Sequence, residues 1–499
     1  MRQYQLFIEG EFADAADGAT FESRNPSDGT AMATVARAGR KDVDRAVGAA
    51  RRAFDEGPWP TMSPRDRSRI LLRMAELLQR RQSDLSQLEA EDAGHTLRAA
   101  SLFTIPLAIY HWQYFAEQAE RLDYTEPVPR TDFPAPAWQF VRREPYGVCA
   151  GIIPWNFPFI MAVWKSAAAL ATGNTVVLKP SPYTPVTALE LARVAQEAEL
   201  PAGALNVIPG TGPVAGEALV THPRVDRVGF TGSTAVGKRV MQLASGTLKK
   251  ITLELGGKGP TLLLDDADLD IAIPGALWAV YLHSGQMCEA GTRCFVPASM
   301  YDDVVARLVE QSEMLKVGSA LDFETDLGPL VDRRQVDTVK RYVQIGLDEG
   351  AKLLTGGGVP AGAPAGGYYF EPTIFGEVEN SMKIAQEEIF GPVLSVIRYE
   401  SVEDAVRMAN DTVYGLSGSV WSRDIPRAVE IAGRLRLGTV WINDHHIFSA
   451  AAPHGGFKQS GIGRELGRWG LDEYLQVKHV HVDQTPTKEQ KFWYQVIGL

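Results

Sequence analysis

The stretch NTVVLKPSPYTPVTALELARVAQEAEL, residues 174–200, decides the fold. Its first six residues, Asn174–Lys179, form a short apolar run closed by a proline turn and read as a buried strand. Thr184-Pro185 then opens a helical stretch over 185–199. The same alternation extends in both directions. Gly147–Ile153 precedes this unit; Leu205–Ile208, Arg227–Phe230 and Ile251–Leu255 follow it, with helical stretches between most of them. Strands alternating with helices predict a parallel sheet with crossover helices, a nucleotide-binding architecture.

Further from this centre the pattern changes. Residues 1–36 read as short strands and turns at Asp17-Gly18 and Asp28-Gly29. A helix is predicted over 64–80. Ser63 can cap it, Pro64 suits its first turn and Asp66 completes a capping-box spacing. Ile70, Leu71, Met74, Leu77 and Leu78 form its apolar face. A second α/β region runs from about 261 to 455. The proline-rich segment 123–145 reads as an excursion from the sheet, such as a hairpin, and Gln476–Asp483 alternates like a strand.

The bulk properties narrow the function classes. A chain of 499 residues can hold two or more domains with full cores. A net charge of −11 argues against a general binder of nucleic-acid backbones. The longest apolar candidate, 147–163, is interrupted by Pro154, Asn156 and Pro158, so no membrane partner is expected. Three cysteines make no disulfide framework and fit a reducing, cytoplasmic setting. The opening MRQYQLFIEGEFADAADG lacks the apolar core of a signal peptide.

Two segments carry chemistry. SGQMCEAGTR, residues 284–293, sets Cys288 among small and polar neighbours, whereas Cys149 and Cys294 lie in apolar runs and read as buried packing. LELGGK, residues 253–258, sets Glu254 between leucines before a glycine pair. A nucleophilic thiol and a carboxylate able to activate water are what is needed to make and then hydrolyse a thioester. FTGSTAVGKR, residues 230–239, follows a strand and opens a helix, so its backbone N–H groups can face a phosphate. Gly232 to Lys238 matches G-x-x-x-x-G-K, but Arg239 stands where a hydroxyl should hold magnesium, and a P-loop is set aside. The G-x-G-x-x-G fingerprint is absent, and PGTGP at 209–213 is a second glycine turn. Taken alone, these turns fit plain strand–helix connections equally well. Asp444-His445-His446 does not read as a metal site, because adjacent residues rarely converge on one ion; no metal is expected.

Seven motifs in order are more specific than any one: PWNFP (154–158), LKPS (178–181), GFTGS (229–233), LELGGK (253–258), GQMC (285–288), EIFGP (388–392) and GGFKQSG (455–461). Together they closely resemble the NAD(P)-dependent aldehyde dehydrogenase superfamily, over roughly residues 5–482. The resemblance implies an α/β fold: a Rossmann-like cofactor domain (1–122 and 146–256), an α/β catalytic domain (257–456), and a small β oligomerisation region (123–145 and 457–499). It implies that an aldehyde, NAD(P)+ and water give a carboxylate and NAD(P)H. Cys288 would be the nucleophile, Asn156 with the Cys288 N–H the oxyanion donors, and Glu254 the base for thioester hydrolysis. With Glu254 present, water is the expected acyl acceptor. Lys165 would lie near the water path.

Lys179 and Glu388 would hold the adenine-side and nicotinamide-side riboses. Phe390 would pack near the nicotinamide and Trp155 near the phosphate-bearing turn. Ser181, Gly212, Phe230, Gly232, Ser233, Gly237 and Leu255 complete the expected cofactor contacts. NAD-preferring members often carry an acidic residue three positions after this lysine; here it is Pro182, which leaves NADP open beside NAD, the expected cofactor.

The expected aldehyde pocket comprises Phe157, Met161, Trp164, Met287, Glu289, His446, Phe448 and His454, which fits a polar-tailed or aromatic aldehyde. If Glu289 faces Cys288 it opposes thiolate formation; otherwise it can bind a cationic tail or point to a backbone partner. The resemblance implies a homodimer or homotetramer. Residues 484–499, with Phe492, Trp493, Tyr494, Val496, Ile497 and Leu499, are expected to dock on a neighbouring subunit. Two other classes are weighed against this reading: a thioester or ester hydrolase using Cys288 without hydride transfer, and a non-catalytic protein of the same fold.

Overall fold

The computed structural model describes residues 1–133 and 135–499. Val148–Ile152, Thr175–Lys179, Leu205–Val207, Arg227–Thr231 and Lys250–Glu254 form the parallel centre of an eight-stranded sheet. Each strand agrees with its sequence expectation to within one residue. The reason is burial on both faces, which makes each strand a continuous apolar run bounded by turns. Cys149, Val176 and Leu178 pack into one helical layer, and Val148, Ala150 and Val177 into the other. The expected helix at 185–199 spans Val186–Glu197.

Across the sheet, Val148–Ile152 lies between Thr175–Lys179 and Arg227–Thr231. The chain therefore builds outwards on one side and then returns to the other. A crevice opens beyond the carboxyl ends of the strands at such a reversal, the usual ligand position in open α/β sheets. Pro154-Trp155-Asn156 and Gly232-Ser233 stand at that point.

Antiparallel strands close both edges: Gly461–Ile462 beside Lys250–Glu254, and Leu6–Ile8 with Glu11–Ala13 beside Leu205–Val207. Gly461–Ile462 falls within 457–499, the stretch expected in the oligomerisation region. Its pairing puts these two residues in the first sheet instead.

A second, seven-stranded sheet holds Pro260–Leu263, Arg293–Pro297, Val393–Tyr399, Thr373–Gly376, Ser417–Trp421 and Thr439–Ile442 in parallel, with Lys352–Thr355 antiparallel at one edge. The excursion at 123–145 is a hairpin, Thr125–Pro127 against Ala137–Pro145, extended by Leu475–Asp483. The helix read over 64–80 is Pro64–Arg80; Ser63 Oγ accepts the Asp66 N–H at 3.1 Å. Among the described residues no helix is long and apolar enough to cross a membrane.

Candidate active site

Cys288 sits on a turn that only a specific backbone path allows. The helix Leu269–Tyr281 ends, and His283, Ser284 and Gly285 take φ of 50°, 53° and 74°. Non-glycine residues in this region cost about 1 kcal/mol or more each, so the surroundings must hold them. Ser284 Oγ donates to the Gly328 carbonyl at 2.7 Å. Gln286 donates to the His283 carbonyl at 3.1 Å and accepts the Val331 N–H at 2.9 Å. A Cβ on Gly285 would stand 2.2 Å from the Gly391 carbonyl oxygen, so the glycine serves close approach as well as backbone freedom.

The glycine pair after Glu254 has the same purpose. A Cβ on Gly257 would lie 2.1 Å from the Cys288 carbonyl oxygen, and one on Gly256 would lie 2.4 Å from Glu388 Oε2. The end of the strand Lys250–Glu254 thus packs against the backbone of the thiol, and Gly257 N–H donates to Glu388 Oε1 at 3.0 Å.

Cys288 is partly exposed, whereas Cys149 and Cys294 are buried. Burial pushes the Cys288 thiol well above its ordinary range, and the Glu289, Glu388 and Glu254 carboxylates push the same way. Glu254 is 4 % exposed, and neither of its carboxylate oxygens has a hydrogen-bond partner among the described residues. Burial raises it to about 8, in the range of a base that works near neutrality.

Asn156 is buried, and its side-chain N–H donates to the Gln286 carbonyl at 2.8 Å, leaving its second N–H. Its own carbonyl is held by His95 Nε2 at 2.6 Å, and the His95 ring stacks on His283 at 3.7 Å. Lys165 is buried in an ion pair with Glu465. Its stem crosses the sheet above Gly151 and Gly229, which face each other across two strands; a Cβ on either would lie 2.9 or 3.2 Å from the lysine chain.

Two cavities meet at Cys288. One, of about 240 Å³, occupies the reversal point and is lined by Trp155, Gly232, Ser233, Leu255, Glu388 and Phe390. The other is narrow and apolar, walled by Phe157, Met161, Trp164, Met287, Glu289 and Phe448. Asn156, Thr231 and Cys288 line both. Thr231 Oγ1 is buried without a hydrogen-bond partner among the described residues.

Lys179 Nζ is buried, donating to the Pro180 and Gly210 carbonyls at 2.7 and 2.9 Å, and burial lowers it to about 8. Ser181 Oγ accepts the Tyr183 N–H at 3.2 Å, and Gly237 lets Leu255 approach. Lys179, Ser181, Gly212, Phe230 and Gly237 lie outside the lining of the 240 Å³ cavity, as does Lys165.

Two expected pocket residues do not face the narrow cavity. His446 Nε2 points to the Ala279 carbonyl at 3.0 Å. His454 lies behind Trp164 and Phe448, its ring 5.3 and 5.4 Å from theirs. Both neighbouring nitrogens of His445 are engaged, with Ser419 Oγ and the Glu289 carbonyl. Conversely, Phe103, Thr104, Leu107 and Ile160 line the narrow cavity and were not anticipated. Nor were His95, Glu465 and Gln335, whose amide holds the Phe390 carbonyl at 2.7 Å. Leu107 sits on the amphipathic helix Ile105–Arg121, with no motif to single it out.

The fold and this arrangement define a class: an α/β protein whose thiol stands between a switch-point crevice and an apolar cavity. The family model described as aldehyde dehydrogenase family matches residues 12–480. The chain belongs to the aldehyde dehydrogenase family and is an enzyme of aldehyde oxidation. It is 44% identical over 485 residues to betaine aldehyde dehydrogenase of Bacillus subtilis (strain 168), covering 96% of this chain and 98% of the relative. It is 43% identical over 482 residues to mitochondrial aldehyde dehydrogenase of Homo sapiens, covering 96% and 92%. A solved aldehyde dehydrogenase of Bacillus cereus, in complex with NAD+, superposes with a TM-score of 0.94 at 42% identity, covering 97% of each chain.

Proposed function

We propose that the protein oxidises an aldehyde with an apolar or aromatic tail to its acid, with NAD+ as acceptor and water as acyl acceptor. The observation that carries this reading is the position of Cys288, Asn156 and Thr231 on both cavities. The residues present fit a dinucleotide. The 240 Å³ crevice lies at the helix Thr234–Ala244, whose first N–H groups suit a phosphate. Lys179 has one N–H beyond the two it uses, Glu388 has a carboxylate oxygen beyond the one Gly257 uses, and Thr231 Oγ1 is unpartnered among the described residues. When bound, the nicotinamide supplies the two-electron acceptor.

The chain's own groups do the rest. Cys288 Sγ attacks the aldehyde carbon, and the carbonyl oxygen takes up negative charge beside the free Asn156 N–H and the Cys288 backbone N–H. One such donor is worth roughly 3 kcal/mol of barrier. After oxidation the acyl group is a thioester on Cys288. Glu254 takes a proton from water, which adds to the thioester and releases the acid and the thiol. The buried Lys165–Glu465 pair sets opposite charges near enough to Glu254 to act on it. With His446 and His454 turned away, the narrow cavity is walled mainly by aromatic, aliphatic and methionine side chains, with Thr104 and Glu289 as polar groups beside Asn156, Thr231 and Cys288, which favours an apolar tail.

The sheets support the three-region reading: the first sheet and its helices as the cofactor domain, 257–456 as the catalytic domain, and the hairpin at 123–145 with Leu475–Asp483 as the oligomerisation region. Free Cys149 and Cys294 accord with a reducing, cytoplasmic setting. Steady kinetics with aliphatic, aromatic and amino-aldehydes and both nicotinamide cofactors test the activity. Acid formation with stoichiometric NAD+ reduction is expected, fastest with aromatic or apolar aldehydes. Acid release from esters without any aldehyde-dependent cofactor reduction would favour a hydrolase instead.

The tail supports a dimer or tetramer. Lys491 pairs with Asp483 and the Phe492 ring approaches Phe133, while Val496 and Ile497 remain 83% and 74% exposed. Trp138 and Val477 of the adjoining sheet are also exposed. Covering this surface with a second copy removes it from water. Truncation after Asp483 is expected to lower the mass in solution by light scattering. Unchanged assembly would place the tail on its own chain.

A further inference from the structure

The carboxylate of Glu289 is in the wrong place for a nucleophile. It lines the narrow cavity with the Cys288 thiol, and a negative charge there opposes loss of the thiol proton. Both Glu289 and its partner His454 are buried, at 5% and 3% exposure. His454 Nε2 lies 3.2 Å from Glu289 Oε1 and 3.8 Å from Glu254 Oε2. Among the described residues no other basic side chain lies within ion-pair distance of Glu289.

The other charged groups around the pair are accounted for. Lys165, on the helix Pro158–Ala171, is held by Glu465, whose backbone pairs with that of His454. His446 is turned to the Ala279 carbonyl and pushed down to about 4 by burial, so it is neutral near physiological pH. His111, which accepts the Trp164 N–H, is lowered to about 4 in the same way. Glu254 and Glu388 are raised by burial to about 8 and about 7. Burial pushes Glu289 up, but His454 outweighs it and the carboxylate is lowered; burial pushes His454 down, but Glu289 and Glu254 outweigh it and the imidazole is raised.

We propose that His454 is a positioning residue for the Cys288 thiolate: its imidazolium neutralises Glu289 and holds that carboxylate, so that the thiol ionises beside a neutral pair rather than beside a bare charge. Ionisation leaves the electron pair on sulfur and delivers the proton to water. The proposal rests on Cys288 being the nucleophile, as read above. It also removes Glu289 from substrate recognition, because a carboxylate already paired with an imidazolium offers a cationic tail no net charge.

The test is alkylation of Cys288 by iodoacetamide across a pH series on the full-length protein, followed by peptide mass spectrometry. This readout needs no turnover. In His454→Phe, whose ring keeps the packing against Trp164 and Phe448, Glu289 is uncompensated. Alkylation near neutral pH is expected to slow about tenfold, its profile moving up by about one pH unit. Glu289→Gln is expected to move the profile down, and the double variant to return toward the parent. A His454→Phe profile superimposed on the parent, or a double variant as slow as His454→Phe, would overturn the proposal. Should His454→Phe fail to fold, His454→Gln, which also removes the positive charge, is read in its place: a profile superimposed on the parent overturns the proposal. If Cys288→Ala retained aldehyde oxidation, the nucleophile reading would fail while the alkylation profiles still reported on the pair.

Discussion

Replacing Cys288 by alanine is expected to lower kcat/KM for aldehyde oxidation by a factor of at least about ten thousand. Among the described residues Cys288 carries the only thiol that lines both cavities, where Asn156 and Thr231 also meet. The contact that brings the glycine pair against this turn is made by the Cys288 carbonyl oxygen, which alanine retains. Melting temperature and NAD+ binding should therefore stay close to those of the parent. Substantial oxidation by the folded variant, measured by acid formation, would assign the chemistry to another group. Cys149 and Cys294 are poor candidates for that role, since both are buried and both thiols are pushed up to about 12 by burial.

Glu254→Gln is expected to slow release of the acid by roughly a hundredfold or more, while the first acylation proceeds. The amide keeps the shape of the side chain but loses the basic oxygen. Release should also report the titration of Glu254. The base form is required, and burial raises the group from 4.5 to about 8. When hydrolysis limits turnover, kcat should therefore rise with pH and level off above about 8, and the rise should vanish in Glu254→Gln. Stability runs the opposite way. A carboxyl raised in the folded state binds more protons there, so its contribution to stability is complete below 4.5 and is lost as pH rises through about 8. Single-turnover kinetics and thermal melting across this window separate the two effects.

The parallel centre of the first sheet was legible because strands buried on both faces leave apolar runs between turns. The helix Pro64–Arg80 was legible because Ser63 and Pro64 mark its start. Cys288 and Glu254 stood out for the polarity of one segment and the glycine pair of the other; the structure adds that Gly257 admits the Cys288 carbonyl. What was not legible depends on long-range contact. His95 reaches Asn156 and Glu465 reaches Lys165 from distant parts of the chain, and neither sits in a local pattern. His446 and His454 occupy irregular backbone, His446 at a φ of 65°, so no periodicity fixed which way their rings turn. The sequence leaves open which way Glu289 turns; in the structure it lines the narrow cavity with Cys288 and pairs with His454.

The central claim is a covalent intermediate on Cys288, and one measurement reaches it directly. Folded Glu254→Gln is mixed with an aldehyde substrate and NAD+, quenched in acid within a turnover and digested for mass spectrometry. The account predicts that the peptide carrying Cys288 gains the mass of the acyl group, in an amount matching the NADH formed. An unmodified Cys288 peptide alongside steady acid and NADH production would contradict it.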